Sequence, residues 1–82
     1  MIRVRVKFFA LSREFAGVAE ETLSLPNGVR ASNLFDVLAE KYPRMRKLED
    51  HCRMAVNYEY VEFSQPLNDN DEVAIIPPVS GG

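Results

Sequence analysis

The chain has 82 residues, of which 46% are hydrophobic and 27% charged, and a formal net charge of −2. Those values describe one small globular domain with a core that is only just adequate, and they exclude an intrinsically disordered segment. The weak negative charge gives no general attraction to nucleic acid or to an anionic membrane, and no apolar run approaches the length of a membrane span.

Ile2, Val4, Val6 and Phe8 alternate with Arg3, Arg5, Lys7 and Phe9, a period of two that predicts a half-buried strand. From Ala10 to Ala16 the period changes, and Leu11, Phe15 and the Arg13-Glu14 pair suit a short helix closed by Gly17. Thr22 to Leu25 resume alternation as a second strand, stopped by the turn formers Pro26-Asn27-Gly28. A longer helix then starts between Arg30 and Asn33, with Ser32 as the best local cap. Its apolar face reads Ala31, Leu34, Phe35, Leu38 and Tyr42, with Val37 beside it, and Pro43 ends it.

Residues 44–51 are polar apart from Met45 and Leu48 and have room for one more helical turn. Arg53 to Val56 and Tyr60 to Phe63 read as two strands of a hairpin around Asn57-Tyr58-Glu59. Asn68-Asp69-Asn70-Asp71 is a turn in which Asn70 suits a left-handed conformation. Glu72 to Ile76 form the last strand, with Val73 and Ile75 inward and Ala74 and Ile76 outward. The order of elements predicts an α+β domain, a mixed sheet packed on one main helix, over residues 1–76.

The body offers little reactive chemistry. His51 and Cys52 cannot build a metal site alone, and the lone cysteine excludes an internal disulfide and suits a reducing compartment. Residues 1–25 form no signal-peptide core, which points to the cytoplasm. A single histidine argues against a catalytic triad, and the four glycines form no phosphate-binding loop. Asp69, Asp71 and Glu72 read as turn formers and as a means of strand solubility, not as a catalytic dyad.

The remaining candidate is the tail, residues 77–82. Pro77 and Pro78 hold an extended backbone, Val79 and Ser80 follow, and Gly81-Gly82 make the narrowest backbone available. An extended tail of this length reaches roughly 20 Å, enough to thread a channel and present the α-carboxylate of Gly82. Phe9, Tyr60 and Ile76 point outward by the same alternation that buries their neighbours, which predicts a protein-binding patch near the tail base.

Three stretches then carry a family resemblance. Phe8-Phe9-Ala10-Leu11-Ser12-Arg13-Glu14-Phe15-Ala16-Gly17 and Ala55-Val56-Asn57 are weaker matches. The run Asp71-Glu72-Val73-Ala74-Ile75-Ile76-Pro77-Pro78-Val79-Ser80-Gly81-Gly82 is specific. Over its whole length the chain resembles the small subunit of molybdopterin synthase, a sulfur carrier of the ubiquitin-like β-grasp class. Asn70 stands where that family usually has glycine, a position that asparagine tolerates.

The resemblance implies a mechanism. Gly82 is adenylated by an E1-like adenylyltransferase that uses ATP, a sulfur donor protein converts it to a thiocarboxylate, and the sulfur attacks a cyclic pyranopterin monophosphate to build a dithiolene. No cofactor is held permanently. The chain is not catalytic alone, but is the sulfur-donating subunit of a heterotetramer of two small and two large subunits. Phe9, Arg13, Tyr60 and Ile76 then occupy interface positions, with Arg13 paired to an acidic group of a partner. The alternatives are a related carrier for thiamine or transfer-RNA thiolation, or a ubiquitin-like modifier joined to lysines through Gly82.

Overall fold

The computed structural model describes residues 1–78. Its elements, in chain order, are β1 (Ile2–Phe8), α1 (Ala10–Ala16), β2 (Glu20–Leu25), α2 (Ala31–Lys41), a 3-10 helix (Pro43–Leu48), β3 (Arg53–Val56), β4 (Glu59–Val61) and β5 (Glu72–Ile76). The strands form one sheet in the order β2-β1-β5-β3-β4. The β1–β5 pairing is parallel, and the other three are antiparallel. The sheet is therefore mixed, as the α+β reading requires.

Side-chain alternation decides which sheet face is covered. Ile2, Val4, Val6 and Phe8 are buried, as are Val73 and Ile75 on β5 and Met54 and Val56 on β3. Register brings them together, with Val6 beside Val73, Phe8 beside Ile75, and Met54 beside Ile75 from the other side. Onto this face α2 lays Ala31, Leu34, Phe35, Leu38 and Ala39. Full burial of a leucine or phenylalanine contributes about 1.5–3 kcal/mol, so this layer dominates the stability of the domain. Met45 and Leu48 of the 3-10 helix close one side of the core. Val37, beside the expected apolar face, is exposed, and so is Leu11 of α1.

Two expectations are corrected by where the backbone finds its hydrogen bonds. Ser32 does not cap α2, whose N-cap is Arg30. The N–H groups of Ala31 and Ser32 donate instead to the carbonyls of Gln65 and Phe63, at 2.9 and 2.8 Å. Asn33 Oδ1 accepts from the Arg30 N–H at 2.9 Å. The loop after β4 thus satisfies the donors that a local side chain would otherwise serve. For the same reason β4 ends at Val61 and not at Phe63, which stacks on Phe35 with ring centroids 6.1 Å apart.

Positive φ values mark the turns. Gly17 closes α1 at φ 76°, its N–H donating to the Arg13 carbonyl at 2.8 Å, as expected of that glycine. Asn70 lies at φ 70°, the left-handed conformation that its side chain tolerates. Asn57 and Tyr58, at φ 51° and 72°, are the two central residues between the paired Val56 and Glu59. That is the pattern of a type I′ hairpin, whose twist matches the strands it joins.

Candidate functional site: an apolar cup at the root of the tail

Where β5 ends, the uncovered face of the sheet forms a concavity of about 260 Å³ lined by Lys7, Phe9, Ala55, Tyr58, Tyr60, Glu72, Ala74 and Ile76. Strand register explains its composition. Lys7 pairs with Ala74, Ala74 with Ala55, and Ala55 with Tyr60, so one row crosses four strands. The two alanines make a shallow floor, and the larger side chains rise around it. Phe9 and Tyr60 are 47% and 56% exposed, too much for core residues, while Ile76 is half-buried. The guanidinium of Arg53 lies 3.9 Å from the centre of the Tyr60 ring and steadies it by a cation–π contact.

Three of the four expected interface residues, Phe9, Tyr60 and Ile76, thus meet in one place. Arg13 does not join them. It is exposed on α1 and lines a separate depression with Lys7, Phe9 and Glu20, so Phe9 stands between it and the cup. Of the tail, Pro77 is buried and Pro78 exposed. Val79, Ser80, Gly81 and Gly82 lie outside the described residues.

Lys7, Ala55, Tyr58, Glu72 and Ala74 were not anticipated at the site. Lys7, Glu72 and Ala74 could have been placed there by carrying the alternation of β1 and β5 through to the outward positions. Ala55 and Tyr58 needed the pairing register as well. Glu72 and Asp71, expected to serve solubility, are mostly buried and fully engaged. Glu72 bonds Lys7 at 3.2 Å and Arg5 at 3.3 Å. The hydrogen bond from Lys7, assisted by Tyr58 and the charge of Arg5, holds its carboxyl below the usual carboxylate range despite desolvation. Asp71 accepts from Asn57 Nδ2 at 2.9 Å and from the Asn68 N–H at 2.7 Å.

The hairpin tip is tied to β5 just beside the cup. The Asn57 N–H donates to the Glu72 carbonyl at 2.8 Å, and the Glu72 N–H donates to Asn57 Oδ1 at 3.0 Å. Chemically, the arrangement is a rigid apolar socket with a neutralised charge pair at one end. It is suited to receiving a protein surface, and Ile76 on its wall leads directly into the proline pair.

A mixed five-stranded sheet closed around one main helix, with such a socket beside its last strand, defines a ubiquitin-like β-grasp protein. The chain belongs to the ThiS family, which it matches over residues 6–82. It is 44% identical over 86 residues to the molybdopterin synthase sulfur carrier subunit of Mycobacterium tuberculosis, covering 100% of both chains. The solution structure of small archaeal modifier protein 1 from Methanosarcina acetivorans is similar, with a TM-score of 0.83 and 31% identity, over 100% of this chain and 98% of that one. A chain from the complex of subunits 1 and 2 of the molybdopterin-converting factor of Helicobacter pylori has a TM-score of 0.72 at 26% identity, covering 99% of this chain and 100% of that one. No helix among the described residues is long and apolar enough to cross a membrane.

Proposed function

We propose that this protein is a sulfur carrier for molybdopterin synthesis, acting as the small subunit of molybdopterin synthase through Gly82. The observation that carries this reading is the 44% identity, end to end, with a protein named for that role. The apolar cup supports it, because a carrier must dock before its tail can reach an active site. The large catalytic subunit is the proposed occupant of the cup, in keeping with the two-subunit Helicobacter pylori complex. An assembly of two small and two large subunits is the proposed stoichiometry.

The chemistry follows from the weakness of a carboxylate as an electrophile. An E1-like partner adenylates Gly82, the carboxylate attacking the α-phosphate of ATP and releasing pyrophosphate. A sulfide-level sulfur supplied by a donor protein attacks the acyl carbon, expels AMP and leaves a thiocarboxylate, which is a competent nucleophile. Two such thiocarboxylates each pass their sulfur to a cyclic pyranopterin monophosphate to build the dithiolene, and water cleaves each acyl–sulfur bond to return the Gly82 carboxylate. Gly81 keeps the tail narrow enough for the channel, because any side chain there adds a Cβ. The reaction is cytoplasmic by this reading.

Intact mass of the protein recovered from its own cell tests the proposal. Replacement of one terminal oxygen by sulfur, lost on incubation with the large subunit and the pterin substrate, is expected. A second reading, a protein modifier, is favoured by the likeness to the archaeal modifier. Peptides branched from Gly82 to lysine, with no sulfur-bearing form, would establish it in place of the first.

A further inference from the structure

The hairpin between β3 and β4 holds an aromatic residue where the backbone disfavours one. Tyr58 takes φ 72° in the second central position of the turn. Glycine or asparagine fills such a position at little cost, whereas a residue with a bulky side chain there is strained. Burial does not compensate in the free domain, since Tyr58 is 86% exposed, the most open of the large hydrophobic side chains among the described residues. The strain persists because Asn57 locks the turn onto Glu72 of β5, through its own N–H and its side-chain oxygen, and onto Asp71 just before it, through its side-chain nitrogen. A conformation held in this way at a binding surface is a candidate for function.

Tyr58 also lines the cup, together with Phe9 and Tyr60. Its ring is therefore continuous with the docking surface described above, and the backbone that carries it is fixed before any partner arrives. A tyrosine has only two side-chain torsions, so fixing it on binding costs little entropy for a large contact area. Ala55 and Ala74 keep the floor beneath it open.

We propose that Tyr58 is an affinity-determining anchor of this chain, which buries its ring against an apolar side chain of the large subunit seated over the Ala55–Ala74 floor. The proposal rests on the pairing with that subunit put forward under Proposed function. It assigns the strained turn a purpose, because the domain gives up some of its own stability to present the ring from a fixed backbone.

The test compares Tyr58→Asn and Tyr58→Phe with the parent, by thermal melting of the free protein and by titration calorimetry against the large subunit. Tyr58→Asn is expected to raise the melting temperature and weaken binding by about tenfold or more, and Tyr58→Phe to bind within about threefold of the parent. Binding by Tyr58→Asn within about threefold of the parent overturns the proposal. So does weaker binding accompanied by a lower melting temperature, or a Tyr58→Phe variant as weak as Tyr58→Asn. A parent that does not bind the large subunit at all overturns the pairing itself, and the proposal with it.

Discussion

Ser12 and Ile75 stand 63 residues apart in sequence, yet the buried Ser12 hydroxyl lies 3.3 Å from the Ile75 carbonyl oxygen. The same Oγ donates to the Phe9 carbonyl at 2.6 Å and accepts from the Phe9 N–H at 3.0 Å. One side chain thus joins the start of α1, the backbone of an expected interface residue and strand β5 just before Ile76. Replacing it removes these side-chain bonds, while the Phe9 N–H still donates to the Ile75 carbonyl at 3.3 Å and the Phe9 carbonyl still accepts from the Ser12 N–H at 3.1 Å. Ser12→Ala is expected to cost about 0.5–1.5 kcal/mol, read as a lower denaturant midpoint in urea. A variant with the parent's midpoint would show that the Phe9 corner holds without this hydroxyl.

The packing of α2 carries a larger loss. Leu34 and Leu38 are fully buried against the sheet. Leu34→Ala and Leu38→Ala should each cost about 2–5 kcal/mol, the upper figures applying where the site cannot collapse into the cavity. For a domain with about 5–15 kcal/mol in hand, either change is plain in equilibrium unfolding.

Acid should loosen the β1–β5 seam through Glu72. Its carboxyl titrates below the ordinary value near 4.5 in the folded state, chiefly because of the hydrogen bond from Lys7. A depressed folded value means the contribution is present above the unfolded value and is lost as pH falls through the folded one. Glu72→Gln should therefore be less stable than the parent at neutral pH and converge with it below pH 4.5. Melting temperatures of both proteins along a pH series give the comparison, and parallel profiles would count against it.

At the cup, Phe9→Ala should weaken association with the large subunit by about 2 kcal/mol or more while leaving the free-domain melt unchanged. The 47% exposure of Phe9 is what separates the two effects. Calorimetry on the purified pair decides it, and a lowered melt with intact binding would make Phe9 a core residue.

At the tail, removing Gly82 or appending one residue should abolish sulfur transfer without altering the fold, since neither change touches the core. Gly81→Ala should be harmful but milder. Molybdopterin formed by purified partners with an untrimmed extended variant would count against the proposed role of the terminus.

What the sequence made legible follows the range of the forces involved. The inward residues of β1 and β5 and the face of α2 were readable because periodicity is a local property, and Asn70 was readable because its chemistry suits one backbone region. Ser32 misled because the helix starts earlier, with Arg30 as its N-cap, and its first N–H groups, those of Ala31 and Ser32, donate to the carbonyls of Gln65 and Phe63, some thirty residues away. Ser12 looked like an ordinary helical position and is instead a buried connector. Tyr58 looked like a plain turn residue, and only the pairing of Val56 with Glu59 places it at the rim of the cup. The outward placement of Phe9, Tyr60 and Ile76 was readable because outward hydrophobes on strands are conspicuous. Arg13 was carried by resemblance alone, and it lies to one side.

The place of β5 in the middle of the sheet has a consequence for how the protein is made. Its neighbours are β1 and β3, so until residues 72–76 emerge from the ribosome the chain holds two disconnected ribbons, β1 with β2 and β3 with β4. Two-stranded ribbons are marginal in water. The domain therefore cannot close during most of its own synthesis, and the strand that completes it is also the one that leads into the glycines. A nascent chain that stalls before Glu72 would present neither a folded body nor a tail.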